Sequence, residues 1–473
     1  MISSLFFSIE ANVLICTVLV LFYSLFLKLY TNKVSPTYFL SMLLFLNVIV
    51  FNCFSPSNYV IFEDMYFSTN QNTYLIRFSF AALYILFFFI SYSGGERKHF
   101  LPEYNFIYLF IFSVTNFMIT VNDYLMAFIL LEILGMATYV LVALAKTRYA
   151  YEASVKYLIF SSVGSLLFIF AGATAILYTK YTNFDAYPIH FIFLSNPEVQ
   201  YNFPELFLAL GLIVKLGVGP FFSWVADIYQ AAEFTAFNFI STVGKLPLVF
   251  LLIKLAPEFG LFNQTLLLAI SALSALVAAI LIVYQTKLRR FFAYSSIFNY
   301  SLGITILIST NDNSDTFFRF FIYYTLATLF LYSCFNLYQQ LNENNEFADI
   351  EDLRKYSNSN VSSWFGLALV ATTGLPPLGL FIAKVIVLGT AVSDTTDEDL
   401  ESIFHSLNIT VALFLLLSSV SMFGYIKAIS RIFNFDGNAY SAAETAKTNV
   451  LAPAIVLLVL LTVNIFWLYF IEF

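Results

Sequence analysis

The chain has 473 residues, 60% of them hydrophobic and 11% charged, with a formal net charge of −7 and a mean hydropathy of +0.82. This excludes an ordinary soluble globular domain, because repeated apolar runs of about twenty residues mark membrane-spanning helices. Cys16, Cys53 and Cys334, and His99, His190 and His405, are scattered without ligand spacing, and no glycine-rich phosphate loop occurs. A haem or iron–sulfur centre therefore has no visible ligand set, and nucleotide binding has no support.

In chain order, the N-terminus Met1-Ile-Ser-Ser-Leu-Phe-Phe runs straight into an apolar segment, without the Arg-rich character or cleavage site of a targeting peptide. Apolar segments follow at 5–27, 37–54, 74–93, 104–121, 122–145, 152–178, 203–230, 233–255, 262–284, 288–309, 316–341, 361–391, 405–431 and 449–471. They predict an all-α integral membrane protein of about fourteen transmembrane helices, called spans 1–14 here. The least secure division is the join at Asn122-Asp123, and the apolar stretch 188–194 is too short to span and reads as interfacial. The 57 Phe and 31 Tyr suggest an AT-rich, organelle-like genome.

Fourteen of the 22 Lys and Arg fall in loops after odd-numbered spans, and only Arg77, Lys180, Lys254 and Arg319 fall in loops on the opposite side. The positive-inside bias then places both termini on the outer face. The acidic loop Asp394–Glu401 falls there too, and the acidic segment Glu343–Asp352 reads either as a partner loop or as a solvated one.

Spans 7 and 12 are overlong and carry helix breakers, Lys215-Leu-Gly-Val-Gly-Pro220 and Gly374-Leu-Pro-Pro-Leu-Gly379. Broken helices at corresponding places of two halves predict an inverted repeat with its site near the midplane. Spans 4–8 and 9–13 would be two inverted five-helix repeats within one polytopic membrane domain. Its parts are 1–103 (spans 1–3), 104–255 (first repeat), 262–431 (second repeat) and 449–473 (span 14).

Four charges lie deep in these spans: Glu132, Lys215, Lys245 and Lys384. Each costs roughly 2.5–3.5 kcal/mol at the bilayer centre, so together they cost about as much as a whole domain's stability of about 5–15 kcal/mol. Buried ionisable groups facing a bundle interior usually mark an ion or proton path. Lys215 precedes its break, where the carbonyls of a half-helix end would face the ammonium. The competing reading is structural, with lysines snorkelling to the headgroups. It applies most to Lys156, a turn into span 6 and a further candidate, while Glu152 and Glu205 read as helix-terminal charges.

Several stretches resemble the antiporter-like subunits of respiratory complex I. They are Leu131-Glu-Ile-Leu-Gly-Met-Ala-Thr-Tyr-Val140, Lys215-Leu-Gly-Val-Gly-Pro-Phe-Phe-Ser-Trp-Val-Ala-Asp-Ile-Tyr229, Ser241-Thr-Val-Gly-Lys-Leu-Pro-Leu248, Gln285–Ile297 and Gly374–Lys384. The likeness covers about 120–390. Ala153-Ser-Val-Lys-Tyr157, the lysine at 384 and the end at span 14 resemble one branch of that family. The sequence departs from the family pattern at Phe222, Ala226, Ala231-Ala-Glu-Phe234 and Lys287. What usually stands there is a histidine, a proline, a Gly-Ala-Pro-like turn and an aspartate.

The resemblance implies a proton-translocating subunit of NADH–ubiquinone oxidoreductase, multi-pass in the mitochondrial inner membrane or its bacterial equivalent, with both termini on the intermembrane-space side. It implies Glu132 and Lys215 as a coupled pair, Lys245 as central relay and Lys384 as the terminal site. No cofactor is expected in this chain; NADH, FMN, iron–sulfur clusters and ubiquinone would belong to other subunits. Partners would be other membrane-arm subunits, including neighbouring antiporter-like ones, and lipids, with no nucleic acid. A cation/proton antiporter subunit and a non-pumping scaffold remain alternatives.

Overall fold

A bilayer offers no water to a backbone N–H or C=O, so a spanning chain must satisfy its polar groups internally. The computed structural model, which describes residues 18–19, 59–61, 66–68, 70–93, 102–180, 182–184, 203–219, 221–255, 261–309, 314–341, 350, 360–375, 380–385, 401–433, 453–459 and 461, does so almost wholly with helices. All of span 1 but residues 18–19, all of span 2, the 188–194 stretch, most of span 14 and both acidic segments fall outside the described residues. The exceptions in the acidic segments are Ile350, whose N–H donates to the Thr286 carbonyl at 2.9 Å, and the helix start at Glu401.

A short antiparallel ribbon, β1 (Tyr59–Ile61) and β2 (Tyr66–Ser68), precedes the helices. Next come α1 (Asn70–Ser93), α2 (Pro102–Thr120), α3 (Tyr124–Ala143), α4 (Arg148–Thr179), α5 (Phe203–Leu216), α6 (Ser223–Ala231), α7 (Phe234–Ser241) and, after a 3₁₀ turn at Val243–Lys245, α8 (Leu246–Leu255). The remainder are α9 (Leu261–Tyr284), α10 (Leu288–Ser309), α11 (Ser314–Leu341), α12 (Asn360–Thr373), α13 (380–385), α14 (Glu401–Phe433) and α15 (453–459). Among the described residues five helices are long and apolar enough to cross a bilayer, and the bent pair at 234–255 would make a sixth.

The join between spans 4 and 5 is a true break. Residues 121–123 leave the helix as an extended strip, and Asp123 bridges to Asn183. Asp123 then caps α3 by accepting from the Leu125 N–H at 3.3 Å, the usual device for an orphan helix N–H. Three of the four charges assigned to the sparsely charged loops lie inside helices instead: Arg77 in α1, Lys254 in α8 and Arg319 in α11. Arg77 is fully buried within α1, inside the apolar segment 74–93 itself, where its charge marks no loop.

The chain divides into two compact units: Met1–Phe88, Gly95–Leu216 and Ala231–Asn263 form the first; Phe89–Gly94, Gly217–Gln230 and Gln264–Phe473 the second. The first has an aromatic core in which Tyr84 meets Phe112 edge-on, with ring centroids 4.7 Å apart, and Tyr108 lies 4.7 Å from Phe239. The second is built likewise around Phe291–Tyr425 and Tyr300–Phe321, at 5.0 and 5.2 Å.

In the first unit α4 and α5 approach at paired glycines. A Cβ at Gly211 would lie 2.6 Å from the Gly164 carbonyl oxygen and 3.1 Å from the Phe168 nitrogen. Both obstacles are backbone, so neither can turn aside; small residues at such crossings are how membrane helices pack closely. Gly211→Val is expected to destabilise the protein by at least about 1–3 kcal/mol and to lower its thermal midpoint. Gly172→Ala, whose Cβ meets only the Tyr124 side chain at 3.1 Å, should cost less; equal midpoints for the two variants would contradict this packing.

Candidate functional site

Lys215 lies in the last turn of α5 and is only 7% exposed. Its stem lies against Gly164 of α4, where an added Cβ would come within 2.8 Å of Lys215 Cγ. The glycine clears a groove that directs the ammonium across to α3, where Nζ donates to the Leu131 carbonyl at 3.2 Å. That differs from the expectation that Lys215 would face the carbonyls of its own half-helix end. A carbonyl inside a helix keeps a second lone pair, so it can accept this bond without breaking its ladder.

Glu132 is the next residue on α3 after the Leu131 carbonyl that holds the ammonium, and it is half-buried rather than fully buried as expected. Tyr157 accepts a hydrogen bond from Thr138 Oγ1 at 2.8 Å. Thr138 and Tyr157 thus tie α3 to α4 one helical stretch beyond the point where Lys215 of α5 meets α3. Sequence reading missed Thr138 and Tyr157; the available signal was that Glu132, Gly135 and Thr138 recur every three residues on one face of α3.

After Leu216 the chain turns sharply. Gly217 and Gly219 take φ of +74° and +87°, a left-handed region that glycine enters without steric cost. A Cβ at Gly217 would also sit 2.3 Å from Val225 Cγ2. These glycines break span 7 and let α6 start afresh at Ser223.

Span 8 is broken as well, which the sequence reading did not anticipate. Pro247 has no N–H to offer the carbonyl of Val243, four residues back, and its ring crowds that oxygen. The Leu246 N–H takes the Val243 carbonyl instead, closing a 3₁₀ turn. The segments Phe234–Ser241 and Val243–Leu255 meet at 45°. Lys245 sits in that turn, 4% exposed.

Lys384, on α13 in the second unit, is 9% exposed. Its ammonium reaches back across the span-12 break to the Thr373 carbonyl at 3.0 Å, and lies 5.9 Å from the Phe298 ring centre. Thr373 ends α12, so this lysine, rather than Lys215, uses the negative end of a half-helix. Gly374, at φ +75°, makes the turn.

Lys156 behaves differently. It pairs with Glu152 one turn earlier at 2.9 Å, with its side chain 40% exposed, the arrangement of a helix-surface ion pair. Glu205 is buried in the first turn of α5.

The chain matches the family model "NADH:quinone oxidoreductase/Mrp antiporter, TM" over residues 121–398, more than half its length and the region that holds all these side chains. It is 25% identical to NADH-quinone oxidoreductase subunit N of Campylobacter lari, over 82% of this chain and 81% of that one. To the same-named protein of Ruthia magnifica it is 27% identical, over 81% of each. In fold it is similar to a chain of an archaeal membrane-bound sulfane sulfur reductase, a respiratory membrane complex. The TM-score is 0.80 at 18% identity, covering 98% of this chain and 95% of that one. A chain of respiratory complex I from Thermus thermophilus gives a TM-score of 0.72 at 17% identity, covering 97% of each. The chain is thus a multi-pass membrane protein that belongs to the NADH:quinone oxidoreductase/Mrp antiporter transmembrane family.

Proposed function

We propose that this chain is a proton-translocating membrane-arm subunit of an NADH–quinone oxidoreductase, of the subunit 2 type that corresponds to subunit N in its bacterial relatives. The observation that carries the reading is the treatment of its lysines. Lys215, Lys245 and Lys384 are buried in or beside broken helices, and two of them donate to backbone carbonyls rather than snorkelling outward. A lysine placed only for packing has no need of a helix break, whereas an ammonium that must lose and regain its proton needs polar contacts that survive both states.

In this reading Glu132 sets how firmly Lys215 holds its proton, Lys245 receives it, and Lys384 is the terminal site. Lys156, tied to Glu152 on the helix surface, supplies at most a peripheral charge. Redox chemistry would belong to partner subunits carrying NADH, FMN, iron–sulfur clusters and ubiquinone. The chain would then count as part of the enzyme without itself being a redox catalyst. The recurrence of a glycine break in spans 7 and 12 supports two inverted repeats, spans 4–8 and 9–13. The Phe and Tyr bias supports the mitochondrial inner membrane, and the loop lysines and arginines support termini on the intermembrane-space side. The curated relatives matched are bacterial, which supports a respiratory membrane of either kind.

The test is coupled proton pumping in vesicles containing the assembled enzyme. Lys215→Met and Lys245→Met should each slow pumping about 10-fold or more, while Lys156→Met should stay close to wild type. A proton-to-electron ratio and turnover unchanged in both buried-lysine variants would instead show a scaffold that pumps nothing.

A second reading, a subunit of a stand-alone cation/proton antiporter, is favoured by the antiporters that the family model includes. Purification from the native membrane separates the two. Flavin- and iron–sulfur-bearing subunits should copurify with this chain; sodium-dependent exchange in their absence would favour the antiporter.

A further inference from the structure

A polar stripe runs along span 8. Thr235, Asn238 and Ser241 recur every three residues along α7, Thr242 and Lys245 continue the line through the bend, and all five are buried. A buried polar line along a membrane helix is expensive unless it does something. At its start stands Glu233, at the N-terminal boundary of α7, within the stretch Ala231-Ala-Glu-Phe234 that departs from the family pattern. Tyr104 Oη of α2 donates to its carboxylate. Tyr108, one turn further along α2, is buried against this part of span 8, with its ring 4.7 Å from that of Phe239. Deeper in, Asn238 is 2% exposed, and its Oδ1 makes no hydrogen bond among the described residues. A buried polar acceptor left open in this way calls for a water. Thr242 Oγ1 donates to the Asn238 carbonyl at 2.6 Å, and Ser241 Oγ to the Phe237 carbonyl at 2.7 Å, so both hydroxyls keep lone pairs for further bonds.

We propose that Glu233 is a proton-loading carboxylate for Lys245, feeding it through water held along the Thr235–Asn238–Ser241–Thr242 stripe. The proton binds a Glu233 carboxylate oxygen from the aqueous face, passes along hydroxyls and water, and ends on the Lys245 amine. Glu233 is left charged and ready to load again, with Tyr104 steadying the carboxylate. Twelve residues at about 1.5 Å each put the two ends about 18 Å apart along the helix. That is too far for direct transfer and suited to a short water chain. The inference rests on the proton-moving role of Lys245 proposed above.

The test uses the assembled enzyme in vesicles, with NADH and quinone as substrates and with assembly checked by copurification. Glu233→Gln and Asn238→Leu should each slow proton-coupled turnover about 10-fold. Glu233→Asp, which keeps a titratable oxygen, should stay within about 2-fold of wild type, a rescue that a packing role would not give. Should Glu233→Gln fail to assemble, Asn238→Leu decides alone, since it leaves Glu233 and Tyr104 in place. Wild-type pumping in Glu233→Gln or in Asn238→Leu, with Lys245→Met impaired, overturns the loading route and leaves the proposed function standing. Wild-type pumping in Lys245→Met removes the basis of both.

Discussion

An ammonium inside hydrocarbon must find oxygen, and in this chain the oxygen comes largely from the backbone. Lys215 takes the Leu131 carbonyl of a neighbouring helix, and Lys384 takes the Thr373 carbonyl at the end of a half-helix. Breaking an ion pair in such a place by removing one partner is costly. A carbonyl dipole is gentler, because it holds the ammonium without fixing its charge and stays acceptable when the proton leaves. Glu132 follows directly on Leu131, whose carbonyl holds the Lys215 ammonium, which is the geometric basis for the proposed pair.

The helix breaks follow from local chemistry. Gly217, Gly219 and Gly374 turn the chain through positive φ, and Pro247 withholds the N–H that would have bonded to Val243. The breaks lie close to the three buried lysines. Helix packing supplies the rest: Gly164 and Gly211 let α4 and α5 touch backbone to backbone, and the same closeness leaves the groove in which the Lys215 stem lies. A larger side chain at Gly164 would therefore disturb packing and ammonium placement together.

Much of this was legible in the sequence, for definite reasons. Lysines in long apolar runs stand out because charge is so rare there, and glycine pairs within overlong spans announce a break. The join at Asn122-Asp123 was the least secure division in the sequence, although Asp123 caps α3 in the structure. Which carbonyl a buried lysine chooses was not legible, because it depends on a glycine in another helix; Lys215 went to α3 for that reason. The bend at Thr242 was missed although Pro247 was in plain sight: a proline two residues beyond a lysine reads as an ordinary membrane-helix proline until the Val243 carbonyl is followed. Arg77 was counted with the loop charges although the apolar segment 74–93 already contained it, and the structure puts it inside α1.

The proton-path reading depends most on Glu132 and Lys215 working as one unit across two helices. A double-mutant cycle on proton-coupled turnover addresses that directly, using Glu132→Gln, Lys215→Met and the combined variant in the assembled enzyme. If the two groups are coupled, the combined variant loses little more than the worse single one, an interaction of about 0.5–3 kcal/mol. If the two losses simply add, Glu132 and Lys215 act independently, and the coupled-pair mechanism is wrong.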